Sequence, residues 1–311
     1  MICGIIYVEW RKRKMFEKNK FTYMEGFTHG GTFHADDVFS TALLKKLNPH
    51  IKITRGFEIP DNFEGIVYDI GLGKFDHHQL DNEVRPNGIP YASFGKLWKE
   101  YGRNFFPEDL CKQFDFSFVS FIDNCDNTGE KDSISTVISS MNPVWDSEKT
   151  YEEKFKEAVK FASYILDIQF EQLRAKIRAR NIIENKIRKV QNGILILDRY
   201  MPYQENAIRN KKVKFVIFPS NRGGYNICTV PKMFNCKESR IPFPEKWLGK
   251  EKEELNGYVE GMFFCHKSNF MVSAETLEQA KNVAKEAKRL FNERKLMEKN
   301  AENNEELSKN K

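Results

Sequence analysis

The chain has 311 residues, 40% hydrophobic, 30% charged and 13% aromatic, with a net charge of +6. That length fits two ordinary domains, and the composition excludes collagen, a mucin-like stalk and a wholly disordered chain. A mean hydropathy of −0.60 without a long apolar run excludes a spanning helix, and six cysteines without a CxxC pair read as free thiols in a reducing compartment, not a zinc ribbon or disulfide scaffold.

Charge is unevenly spread: +4 over residues 1–20, −8 over 21–150 and +10 over 151–311. Carboxylates in the acidic stretch can hold cations, and the basic stretch can hold the anion on which they act. In residues 1–20 the basic cluster follows the apolar stretch, the reverse of a secretory signal. Glu9 and Glu17 count against a transit peptide, so a poorly ordered extension is expected there. Residues 23–28 read as a strand and 37–47 as an amphipathic helix stopped by Pro49. Residues 51–56 and 65–71 read as further strands, Ser93 as a helix cap, and 107–142 as broken helix. This order predicts a parallel α/β sheet. Residues 151–190 predict a long helix, strongly basic over 171–189. Strands at 194–198, 214–220, 225–230, 258–266 and 270–274, closed by a helix at 275–291, predict a smaller α+β domain. The expected divisions are thus an extension over 1–20, a domain with helical linker over 21–190, a second domain over 191–292, and a charged tail over 293–311.

One constellation stands out. The first predicted strand runs into Thr28-His29-Gly30-Gly31-Thr32-Phe33-His34-Ala35-Asp36-Asp37, and the third ends at Asp69. Asp76-His77-His78 and Asp123-Asn124-Cys125-Asp126-Asn127-Thr128-Gly129 follow. Singly, each piece has a structural reading: His29 as a hydrogen-bonded strand-end residue, His34 with Asp36 as a helix start, His77 and His78 as surface groups, Asp126 with Asn127 as a turn. Ligand sites in parallel sheets lie beyond the carboxyl ends of the strands, however, and these segments fall there. Mixed imidazole and carboxylate ligands suit Mn, Fe, Co, Zn or Mg. Two such ions about 3.5–4 Å apart would relieve the mutual repulsion of the acids and clamp a phosphoryl group. His50 reads as an exposed loop residue.

These segments resemble the melanocyte proliferating gene family, which is similar to the wider DHH phosphoesterase superfamily. The likeness continues through Leu197-Asp198, Pro202-Tyr203, Phe218-Pro219-Ser220, the stretch from Arg240 to Trp247 and Cys265-His266, covering about residues 24–292. The resemblance implies an α/β fold, with a doubly wound, mostly parallel DHH-like sheet domain and a smaller C-terminal α+β domain that closes over substrate. It implies two divalent ions, manganese or else magnesium, and 3′→5′ exonuclease action on RNA or short oligonucleotides. His29 and His34 would hold one ion, Asp36, His77 and Asp126 the other, and Asp69 would bridge both; Asp123 is the rival to Asp126. His78 would contact phosphate or protonate the leaving oxygen, and Asp76 would orient a ligand histidine. A cytoplasmic protein is implied (mitochondrial or nuclear in a eukaryote) that needs no membrane and is a monomer or a homodimer.

The chain departs from the family at Gly30, Ala35 and Asp37, none of them an expected ligand. Val272-Ser273-Ala274-Glu275-Thr276 replaces a glycine-rich segment that would form a phosphate nest. For substrate, Arg240 is expected on a phosphate. Arg222, within Asn221-Arg222-Gly223-Gly224, is a second anion contact or part of a hairpin turn. His266 is a phosphate donor or a structural residue. The basic helix reads as a backbone track or a solvated face. Two rival functions stand beside the exonuclease: a small-molecule pyrophosphatase or cyclic-dinucleotide phosphodiesterase, and a non-catalytic nucleic-acid-binding protein with a structural metal centre.

Overall fold

In the computed structural model, which describes residues 19–130 and 132–309, the first strand begins where the sequence turns from polar to apolar: β1 (Glu25–His29) buries Gly26, Phe27 and Thr28. The extension expected over 1–20 lies, apart from its last two residues, outside the described residues. β1 is flanked by β2 (Lys52–Gly56) and β3 (Ile66–Val67), both parallel to it. Parallel neighbours need a crossover, and α1 (Ala35–Leu47) provides the one from β1 to β2. Asp36 and Asp37 in its first turn and Lys45 and Lys46 in its last match the helix dipole. Its start, two residues before the predicted one, is fixed by the Asp37 carboxylate, which accepts the His34 amide at 2.8 Å.

Two local expectations need correction. β3 is far shorter than the predicted 65–71, because Asp69 (φ 58°), Gly71 (φ 86°) and Leu72 (φ 56°) leave the extended region. Ser93 is not the cap of its helix: α2 (Ser93–Tyr101) has Ala92 at that position. The buried Asp36 carboxylate instead accepts the Ser93 and Phe94 amides at 2.9 and 2.7 Å, so a residue distant in sequence does the capping. Beyond it follow α3 (Glu108–Phe114), a π turn over Asp115–Val119, α4 (Ser120–Thr128) and α5 (Ser133–Ser140), matching the predicted broken helix. The long predicted helix is α6 (Tyr151–Ile187).

The chain forms two compact units that divide inside α6, between Leu173 and Arg174. In the first, Phe39 of α1 lies between Phe94 and Phe118, both ring centroids 5.5 Å away. Trp98, Phe114 and Phe170 extend this aromatic core. The second unit holds a mixed sheet of order β4-β5-β6-β8-β7, made of β4 (Ile194–Ile196), β5 (Phe215–Pro219), β6 (Tyr225–Thr229), β7 (Met262–Cys265) and β8 (Met271–Ala274). Only β4 and β5 are parallel. Both faces of β5 are buried. Phe215 and Ile217 face Trp247, Phe243 and the Ala280, Val283, Ala284 and Ala287 face of α9 (Leu277–Lys309), while Val216 and Phe218 face Tyr203, Ala207 and Ile183. Two short helices, α7 (Gln204–Arg209) and α8 (Lys252–Leu255), complete this unit.

Phe39 is fully buried among aromatic neighbours. Phe39→Ala is expected to destabilise the first unit by about 3–5 kcal/mol in urea unfolding; a loss below about 1 kcal/mol would mean that the cluster repacks freely.

Candidate metal centre

The sheet of the first unit brings its chemistry to one end. His29 closes β1, Asp36 and Asp37 open α1, and Asp69 follows β3. Asp76, His77 and His78 lie on the loop beyond, and Asp126 is on the last turn of α4. Asp69 is 4% exposed and stands between two imidazoles. Its Oδ1 is 3.1 Å from His77 Nε2, and its Oδ2 is 3.3 Å from His29 Nε2. His77 Nε2 also lies 2.9 Å from Asp126 Oδ2, and His29 Nε2 lies 3.4 Å from Asp37 Oδ2. Three groups have ligand atoms mutually within 4.8 Å: Asp36 with Asp69, His77 and Asp126; His29 with Asp37 and Asp69; and Asp69 with His77 and His78. Asp69 belongs to all three.

The loop is held by Asp76. Its Oδ1 accepts the His77 and His78 amides at 2.7 and 3.2 Å and contacts His78 Nδ1 at 2.6 Å, while its Oδ2 accepts the Leu72 amide at 2.7 Å. Burial alone would raise the Asp76 pKa, but these donors hold it below the ordinary range. On the other ring, His77 Nδ1 is 3.3 Å from Asn127 Oδ1. A ring fixed on Nδ1 presents Nε2 to a cation.

Charge is distributed unequally. Burial raises the Asp36 carboxyl well above its usual value, with Asp69, Asp126 and Asp123 adding to the rise. Burial likewise pushes Asp37 to about 7 against the pull of His29 and Arg55. Asp69 goes the other way, to about 2, because its two imidazoles outweigh its own burial. Burial would lower both rings, yet Asp69 and Asp37 push His29 up to about 9, and Asp126 and Asp69 push His77 up to about 11.

The donors fit divalent cations. Asp37 Oδ2 is buried without a hydrogen-bond partner among the described residues, and it faces the His29 ring. With only the His29 ring at 3.4 Å and the Arg55 guanidinium at 3.7 Å beside it, that oxygen lacks a bonded partner, which a cation would supply. Three imidazoles with four carboxylates are a ligand set for harder first-row ions or magnesium.

Most of the residues expected from the sequence meet here, with Asp36, Asp69, His77 and Asp126 in one group as expected. Asp126 joins the cluster, whereas Asp123 turns away to Arg85 NH2 at 2.6 Å and to the Gly95 amide at 3.1 Å. His34 is exposed, its ring centroid 5.8 Å from that of His29, and it is in none of the three groups. Asp37 takes the place beside His29. Arg240 donates to the carbonyls of Ala207, Asn210 and Val213 at 3.0, 2.7 and 2.7 Å and to that of Ile208, which pins the end of α7. Arg222 lies on the exposed β5–β6 turn, where Gly223 and Gly224 have positive φ as a hairpin requires. His266 accepts the Ser268 amide at 3.0 Å through Nδ1 and packs against Phe270. The exposure expected for His50 is observed.

Sequence reading missed Arg55 and Arg85. The Arg55 side chain is 1% exposed, pairs with Glu152 at 3.0 Å, lies over the Phe155 ring and stands 3.7 Å from Asp37 Oδ2. Neither arginine sits in a motif, so position in the fold alone gives them away. The centre opens into a cleft of about 1090 Å³ whose other wall carries Ser135, Thr136, Ser139 and Ser140 of α5.

The profile of the family MYG1_exonuc, described as Uncharacterised protein family (UPF0160), matches residues 27–287. The chain is 27% identical over 307 residues to the MYG1 protein of Dictyostelium discoideum, covering 81% of this chain and 93% of that one. It is 30% identical over 271 residues to a MYG1 protein of Chlamydia pneumoniae, with 78% and 89% covered. It is 26% identical over 319 residues to the MYG1 exonuclease of Mus musculus, with 83% of each covered. No solved structure matches. No helix among the described residues is long and apolar enough to cross a membrane.

Two outcomes follow from this geometry. Both the His29 and His77 rings carry a proton at pH 7 when no cation is bound, because their pKa values lie above it. A cation must displace those protons, so Mn binding is expected to release protons and to tighten as pH rises from 6 towards about 9. Calorimetry in two buffers of different ionisation enthalpy measures this, and equal heats in both would contradict it. Asp126→Asn is expected to weaken Mn binding at least about tenfold with stability retained. Asp123→Asn instead takes a carboxylate from the buried Arg85 and costs about 3 kcal/mol of stability. If Asp123→Asn lost the metal while Asp126→Asn kept it, the ligand assignment would reverse.

Proposed function

The chain belongs to Uncharacterised protein family UPF0160, the MYG1 exonuclease family, and from that membership and the buried imidazole–carboxylate cluster we propose that it is a two-metal phosphoesterase acting as a 3′→5′ exonuclease on RNA or short oligonucleotides. The observation that carries this reading is Asp69, one carboxylate common to three potential cation groups. Support for a nuclease comes from the mouse and rat relatives, both named MYG1 exonuclease. A DHH-like, doubly wound arrangement of the first unit belongs to the same proposal.

Asp36, His77 and Asp126 would hold one ion and His29 with Asp37 the other, with Asp69 between them; manganese or magnesium suits these ligands. When bound, such ions supply Lewis acidity, polarising water and neutralising charge on a phosphoryl group. The chain's own groups do the rest. His78 has its Nδ1 on Asp76 and is 58% exposed, so its Nε2 is free to donate a proton to the leaving oxygen. Arg55 stands behind Asp37 and fixes its orientation. His34, exposed at the cleft wall, would contact substrate. In the second unit Arg222 is exposed and available to an anion.

Asp69→Ala and His77→Ala are each expected to lower Mn-dependent cleavage of 5′-labelled single-stranded RNA by about a thousandfold or more, with the far-ultraviolet circular dichroism unchanged. Wild-type rates in either variant would reject the site. A product ladder against single-stranded DNA and dinucleotides reports direction and substrate length together.

A further inference from the structure

The first unit contains a second cavity, of about 510 Å³, which shares no lining residue with the metal cleft. That volume is within the range of small-ligand sites. Its walls are aromatic. Trp98 and Tyr91 line it, and Phe116 stands 69% exposed at the same cavity. Phe116 is held out by the π turn over Asp115–Val119, a helix irregularity that recurs at functional sites.

The walls are also cationic, with Arg85, Lys99, Arg103 and Lys112 against Glu108 and Asp115. These cations differ in how far they are satisfied. Arg85 is fully engaged: it grips Asp115 through two bonds at 2.9 and 2.8 Å, reaches Asp123 at 2.6 Å and lies 3.8 Å from the Tyr91 ring centroid. Lys112 holds Glu108 at 2.7 Å. That leaves Arg103 with a distant share of the same carboxylate, at 3.9 Å, and with a buried Nε that has no hydrogen-bond partner among the described residues. Lys99 is paired with Glu83 and lies 5.3 Å from the Tyr91 centroid, so that ring is already polarised by cations.

An uncharged apolar molecule would cover the rings but leave Arg103 unsatisfied. A bare anion would satisfy Arg103 but leave the exposed Phe116 ring wet. A flat ring carrying an anionic group meets both requirements, since aromatic faces stack on any base and a guanidinium fork matches phosphate. We propose that this cavity is a binding site for a nucleoside monophosphate or a similar aromatic phosphate, separate from the metal centre. The inference does not depend on the nuclease reading, because none of its residues is a ligand of the proposed ions.

The test is calorimetric titration of the full chain, in EDTA, with AMP, adenosine and inorganic phosphate as probes. EDTA removes the ions through which the first cleft would hold a phosphate. AMP is expected to bind, with adenosine and phosphate each at least about tenfold weaker. Phe116→Ala and Arg103→Gln are each expected to weaken AMP at least about tenfold, with circular dichroism and Mn binding unchanged. Asp69→Ala is expected to bind AMP as the wild type does. Absence of AMP binding at millimolar concentration, phosphate binding as tightly as AMP, or indifference to both cavity substitutions would each overturn the proposal. So would loss of AMP binding in Asp69→Ala, which would place the nucleotide in the first cleft.

Discussion

Asp69 is an ionised carboxylate with almost no access to water, and its burial is tolerable only because two imidazoles stand against its two oxygens. The rest of the first unit answers to that arrangement. Its backbone must leave the strand immediately, with φ 58° at Asp69 itself, so that the side chain turns towards His29 and His77 instead of into the sheet. The strand is short for that reason.

The neighbouring acids are handled by different means. Asp36 is pinned by the first amides of α2, which satisfy its oxygens. Asp123 is neutralised by Arg85 and touches the Gly95 amide. A side chain at position 95 would put its Cβ 1.8 Å from the Asp123 carboxylate, so only glycine admits this contact. Asp37 has one oxygen on the His34 amide, whereas its other is buried beside His29 and unbonded. Asp123 therefore belongs to the frame, whereas Asp36 combines an anchor on α2 with a place in the cluster, and Asp37 keeps an unbonded oxygen towards His29. Structural and chemical carboxylates are thus separated by what surrounds them, not by residue type.

The second unit is simpler in its physics. Its central strand is buried on both faces, and the segment from Arg240 to Trp247 packs the core or ties down backbone carbonyls. A guanidinium filled with carbonyls has little left for a substrate.

Much of the site was legible in the chain itself. Alternation of apolar runs placed the strands, and histidines and aspartates clustered just after them, where a parallel sheet gathers its ligands. His29, Asp36, Asp69 and His77 meet for that reason, and α4 brings Asp126 to them. What sequence could not decide was orientation. One turn of α4 separates Asp123 from Asp126, and only the packing of α2 and Arg85 sends one away from the cluster and leaves the other in it. Asp37 displaces His34 beside His29 because α1 starts early and buries its first turn. Arg55 and the Asp36 cap on α2 join residues far apart along the chain. Such contacts leave no periodicity or spacing to read, so they exist only once the chain has folded.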